Sequence, residues 1–158
     1  MNYWYVRYLS TEYLFINYFT SSKIFNKMDT PEESKKSCGI IRIYNINNGI
    51  DKIYFHNNTI KEGKYYEYYG NGKLYMSCNY LNNKKEGELE RYYANGITMI
   101  RENYVNDLLC GESHYYNYSG ELLETKTYFN DLLNGIHVLY HSNGNVKSIS
   151  NYLNDVLI

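Results

Sequence analysis

Four sets of side chains in this chain are of types that could do chemistry: three cysteines, four histidines, several glutamates and an excess of tyrosine, 22 residues in 158. Cys38, Cys78 and Cys110 are widely separated and form no CxxC pair, so they do not have the spacing of a zinc site. An odd, sparse count fits unpaired thiols in a reducing compartment. His137 and His141 are four residues apart. That spacing makes neighbours on a helix, but on a strand it leaves the two on one face ~13 Å apart, too far to share a metal ion. His114 belongs to a different position of the pattern described below. Glu88, Glu90 and Glu112 could work as an acid–base pair, but their strand-like settings read as charges that keep a tyrosine-rich surface soluble. Gly70-Asn71-Gly72-Lys73 has the glycines of a phosphate loop and lacks its Gly-Lys-Ser/Thr ending and following helix. Neither G-x-S-x-G nor H-E-x-x-H occurs. The residues predict no enzyme, no cofactor and no metal centre.

The tyrosines have a different logic, because they keep phase. The stretch from Gly63 to Glu86, GKYYEYYGNGKLYMSCNYLNNKKE, recurs from Gly87, Gly111 and Gly135, a period of 24 residues. In each copy a second glycine falls nine residues on: Gly72, Gly96, Gly120 and Gly144. Tyrosines fall five residues on (Tyr68, Tyr92, Tyr116, Tyr140) and seventeen on (Tyr80, Tyr104, Tyr128, Tyr152). An apolar residue and then an asparagine follow the second tyrosine. A fixed period over four copies marks a repeat protein.

Each copy holds two runs rich in Tyr, Leu, Ile and Val, such as Lys64–Tyr69 and Leu74–Tyr80, separated by two turn signals. Those runs have strand length and composition. A helix would be interrupted by glycine in every copy. The first turn signal, usually Asn-Gly, predicts type I′ turns with positive φ at both central residues, over Gly70–Lys73, Ala94–Ile97, Tyr118–Glu121 and Ser142–Asn145. The second is Asn82-Asn83 and its counterparts, whose residues tolerate the left-handed region. The expected fold is all-β: an elongated, single-layer antiparallel sheet of hairpins, advancing roughly 10 Å per repeat and about 40 Å over four.

The two tyrosine columns are the candidate interaction residues, together with Ile149 on the last strand. Tyrosine can bury its ring while its hydroxyl reaches water, so the columns are first of all structural. Rows of rigid, amphipathic rings also suit contact with a protein or peptide. The last strand, Val146–Tyr152, is expected to present an open edge that invites another strand or a second copy of the chain. Gly72, Gly96, Gly120 and Gly144 are the structural turn residues.

The spacing of Gly63, Tyr68, Asn71-Gly72, Leu74, Tyr80, Asn82 and Gly87, with their counterparts, resembles the MORN repeat, and more closely its variant form found in YwqK-family antitoxins. The resemblance covers residues 63–158 well and 39–62 poorly, and the chain departs from it by placing Asn or Asp where glycine is usual after the second-turn asparagine. It implies a sheet used as a binding platform, with no catalytic residue. It also implies antitoxin-like activity as one option, and a large DNA virus as a fitting source.

The segments divide as 1–38, an irregular or capping N-terminal stretch; 39–62, a degenerate first repeat; and 63–158, four full repeats. Residues 1–27 are aromatic and out of phase, with Arg7 and Glu12 breaking any membrane-length apolar run. Two readings stand: a cap on the first hairpin, or a stretch upstream of a start at Met28. Thr30-Pro31-Glu32-Glu33 has the order of a helix start, with Thr30 as N-cap and Glu33 as the returning carboxylate. The formal charge of −1 gives no pull toward nucleic acid. The expectation is a non-enzymatic protein- or peptide-binding scaffold in the cytoplasm, the host's if the source is viral. A peripheral membrane module is the rival, disfavoured by the lack of a basic run.

Overall fold

The computed structural model describes residues 5–8, 38–46 and 49–158, of which 5–8 as backbone only. The strands are β1 Tyr5–Tyr8, β2 Cys38–Tyr44, β3 Ile50–Asn57, β4 Ile60–Tyr68, β5 Leu74–Leu81, β6 Lys84–Lys85, β7 Gly87–Tyr92, β8 Thr98–Val105, β9 Leu108–Leu109, β10 Gly111–Tyr116, β11 Leu122–Phe129, β12 Leu132–Tyr140, β13 Val146–Leu153 and β14 Val156–Leu157. They make one antiparallel sheet, in the order β1-β2-β3-β4-β5-β7-β8-β10-β11-β12-β13-β14, with β6 on β5 and β9 on β8. The all-β expectation holds: every described strand pairs with a neighbour in sequence, and the described residues include no helix. The helix start at residues 30–33 lies outside the described residues.

The turn chemistry differs from the expectation. At the Asn-Gly turns only the glycine has positive φ (Gly72 81°, Gly96 93°), and Asn71 and Asn95 do not. The turn begins one residue early: Gly72 N–H donates to Tyr69 O, and Tyr69 N–H to Lys73 O, each at 2.8 Å. Two such bonds close a three-residue loop, a type I turn followed by a left-handed glycine that bulges the strand. The asparagine has another task. Its Oδ1 accepts from the amide two residues on, Asn71 from Lys73 and Asn95 from Ile97, both at 3.0 Å. In the third copy Ser119 cannot do this, and Asn117 Oδ1 serves the amides of Ser119 and Glu121 instead, both at 2.9 Å.

The type I′ turns are the second ones. Both central residues are left-handed at Asn82-Asn83 (52°, 67°), Asn106-Asp107 (53°, 73°), Asn130-Asp131 (50°, 68°) and Asn154-Asp155 (49°, 66°). Asn58-Thr59 is left-handed too (50°, 70°). Non-glycine pairs in this region need compensation, and the four repeat turns supply it by stacking. Asp107 N–H donates to Lys85 O (3.0 Å) while Asp107 Oδ1 accepts from Lys85 N–H (2.6 Å). The same reciprocal pair joins Asn83 to Lys61, Asp131 to Leu109 and Asp155 to Leu133. A glycine would fit the φ but could not accept the amide, which explains why Asn or Asp stands there.

Directly opposed residues of a sheet share a face, so the register sorts the side chains. One face carries the core. Tyr65, Cys78, Leu89 and Tyr104 are buried together, with Tyr54, Met76, Tyr80 and Leu109 packed against them. Lysines roof this face: Lys61 Nζ lies 5.1–5.2 Å from the rings of Tyr54, Tyr65 and Tyr80, and Lys85 Nζ lies 3.9 Å from that of Tyr104. Cation–π contacts at such partly exposed sites contribute on the order of 0.5–1 kcal/mol each. Burial pushes the Cys78 thiol up to about 11 and the phenols of Tyr80 and Tyr104 up to about 12. We call this the packed face and its reverse the outer face.

Candidate interaction surface

The two tyrosine columns lie on opposite faces. Tyr80, Tyr104, Tyr128 and Tyr152 belong to the packed face, where Tyr104 is only 8% exposed and donates its hydroxyl to Glu102 at 3.0 Å. Glu102 is buried and also accepts from Arg91 Nη1 at 3.2 Å, so its charge is matched. Farther along, Glu124 accepts from Lys126 Nζ (2.9 Å) and lies 2.8 Å from His137 Nε2. Burial opposes ionisation of Glu124, but these bonds outweigh it and hold the carboxyl below its usual range. His137 thus has a carboxylate partner on its strand neighbour. His141, on the loop after β12, is exposed.

Tyr68, Tyr92, Tyr116 and Tyr140 belong to the outer face and are half-buried. Tyr92 donates to Glu90, whose other oxygen binds Arg101 Nη2 at 2.7 Å. Arg101 Nε also bonds Glu88 at 2.9 Å. Glu88 and Glu90 are therefore joined through one guanidinium. Glu90 in particular is a structural carboxylate, held below its usual range by Tyr92 and Arg101 despite its partial burial. Tyr116 stacks on His114 at 6.4 Å. The rings of Tyr92 and Tyr116 are thus braced by neighbours.

Ile149 is 65% exposed on the same outer face, opposite Val138. The edge of β13 is shorter than expected. β14 covers its end, pairing Leu157 with Tyr152 and Val156 with Leu153, and Ile158 N–H reaches Asn151 O at 3.0 Å. At the other end β1 pairs along β2, from Tyr5↔Tyr44 to Tyr8↔Ile41.

A second exposed feature of the outer face lies at a position that the sequence marks only as apolar. The residue after the second tyrosine, Leu81, Val105, Phe129 or Leu153, flanks the type I′ turn, and its cross-strand partner is Lys84, Leu108, Leu132 or Val156. Alternation from Tyr104 and Leu109, which pack on the core, puts Val105 and Leu108 on the outer face. Val105, Leu108, Phe129, Leu132, Leu153 and Val156 are 39–63% exposed, with Phe129 at 60%. Stacked turn on turn, they form one continuous apolar row across three hairpin tips. The signal was an apolar residue in phase with the repeat yet displaced by one from the buried tyrosine.

Among the described residues no three His, Cys, Asp or Glu side chains are grouped to hold a metal ion, and no helix is long and apolar enough to cross a membrane. No curated protein matches the chain. Three of its segments, residues 61–82, 85–106 and 133–154, match the model of the MORN repeat variant family. The match is to the repeat; it reaches neither the antitoxin family nor a viral source.

Proposed function

We propose that this chain is a non-catalytic, MORN-type scaffold that binds a protein partner through the outer face of its sheet. The observation that carries the reading is the unbroken apolar row of the hairpin tips, on the same face as Ile149 and the Tyr68, Tyr92, Tyr116 and Tyr140 column. Contiguous exposed apolar surface with a polar surround is the mark of an interaction site. The opposite face spends its rings on internal packing. Three free cysteines support a cytoplasmic setting.

The test is affinity capture from a lysate of the source organism with the wild type, with Tyr116→Ala/Tyr140→Ala and with Ile149→Asp, beside co-sedimentation with neutral and anionic liposomes. Circular dichroism must first show that each variant is folded. A protein retained by the wild type and lost from a folded outer-face variant supports the reading. Liposome binding without protein capture would assign the surface to lipid.

A further inference from the structure

We propose that the apolar row receives an amphipathic α-helix with basic flanks, laid across the strands over the last three hairpin tips. This rests on the protein-binding reading above and adds the chemistry of the partner.

Between these tips the backbone leaves no place for an added strand. The turn amides and carbonyls beside the row are already engaged turn to turn, Lys85 with Asp107, Leu109 with Asp131 and Leu133 with Asp155. Only side chains remain to bind a partner, which suits a segment whose own backbone is satisfied, and that is a helix. The spacing agrees. Successive tips are two strands apart, ~9.6 Å, and seven helical residues advance ~10.5 Å. A helix with apolar residues every seventh position would place one near each of Val105, Phe129 and Leu153, with a cumulative drift of about 2 Å.

Charge sets the flanks of that helix. Residues 105–158 hold six carboxylates against two lysines, a net −4 within a chain of net −1. Asp107, Asp131 and Asp155 lie in the turns that the row borders, and Glu112, its side chain 58% exposed, lies on the same face beside Thr127. At the other end of the array the pattern stops, because Lys84 stands where Leu108, Leu132 and Val156 follow. A cationic flank would be attracted along the last three tips and repelled at Lys84, which fixes where the helix lies.

The experiment titrates the full chain into a fluorescein-labelled 21-residue synthetic peptide, with leucine at the two apolar heptad positions and lysine on both flanks. The same titration is run with a scrambled peptide of equal composition and with a glutamate-flanked one. Saturable binding of the first peptide is expected, at least tenfold weaker for the scrambled and acidic peptides and for Phe129→Asp. Leu132→Ser, milder at the same exposed site, gives the comparison should Phe129→Asp fail to fold. No binding, equal binding of the scrambled peptide, or affinity unchanged in the folded variant overturns the proposal. So does sedimentation showing a dimer of the wild type that these variants abolish, since a second copy would then occupy the row. If the peptide fails while a captured protein still depends on the outer face, this inference falls and the protein-binding reading stands.

Discussion

Asp107 and Lys85 exchange two hydrogen bonds across adjacent hairpin tips: the Asp107 amide donates to the Lys85 carbonyl at 3.0 Å, and the Lys85 amide donates to the Asp107 carboxylate at 2.6 Å. The exchange ties a strained turn (φ 73° at Asp107) to the hairpin before it. It also separates two roles that one residue fills, tolerance of positive φ and acceptance of a neighbour's amide.

Substitution can pull those roles apart. Asp107→Asn keeps both and should change stability little, since Asn83 makes the same bond to Lys61 at 2.7 Å. Asp107→Gly eases the φ and loses the bond, for a cost of about 1 kcal/mol. Asp107→Val loses both and should cost roughly 2–4 kcal/mol. Urea denaturation reads the order, and a glycine variant as unstable as the valine variant would remove the bond from the account.

At the other class of turn the glycine itself is required. Gly96 has φ 93°, and a Cβ there would meet nothing within 4 Å, so the penalty of a side chain is conformational and not a clash. Gly96→Val should therefore destabilise by on the order of 1–3 kcal/mol and Gly96→Asn by less. Equal melting temperatures for the two variants would contradict the turn assignment.

The packed face predicts an alkaline transition. Burial raises the phenols of Tyr80 and Tyr104 from 10.0 to about 12. The unfolded chain releases these protons near pH 10 and the folded chain only near 12. The stability they contribute is thus full below pH 10 and is lost as pH rises toward 12. Phenolate absorbance should show a late group of tyrosines ionising together with the loss of sheet signal in circular dichroism. Titration of all the tyrosines near pH 10 with the sheet intact would contradict it.

The sheet was legible in the sequence because its period is repeated in full: Gly72, Gly96, Gly120 and Gly144 mark one turn, and Asn82 and its counterparts the other. The first turn differs from the I′ expectation because Asn-Gly suits two solutions, while the left-handed residues expected at the second turn are found there. A two-residue I′ turn and a three-residue loop ending in a left-handed glycine both accept it, and only the closing bond from Tyr69 to Lys73 decides between them. The opposite placement of Tyr92 and Tyr104 was also hidden. Twelve residues of separation suggest one face, but the loop bulges the strand between Arg91 and Tyr92 and shifts the parity. The apolar row was visible as letters, Val105, Phe129 and Leu153, without the exposure that gives it meaning.

Hydrogen–deuterium exchange of the chain, free and bound to its captured protein partner, tests the outer-face account most directly. The account predicts slowed exchange at the tips spanning residues 105–108, 129–132 and 153–156, with the β3–β4 tip at residues 57–60 unchanged. Protection confined to the packed face around Tyr65 and Leu89, or to the free edge of β13, would contradict it.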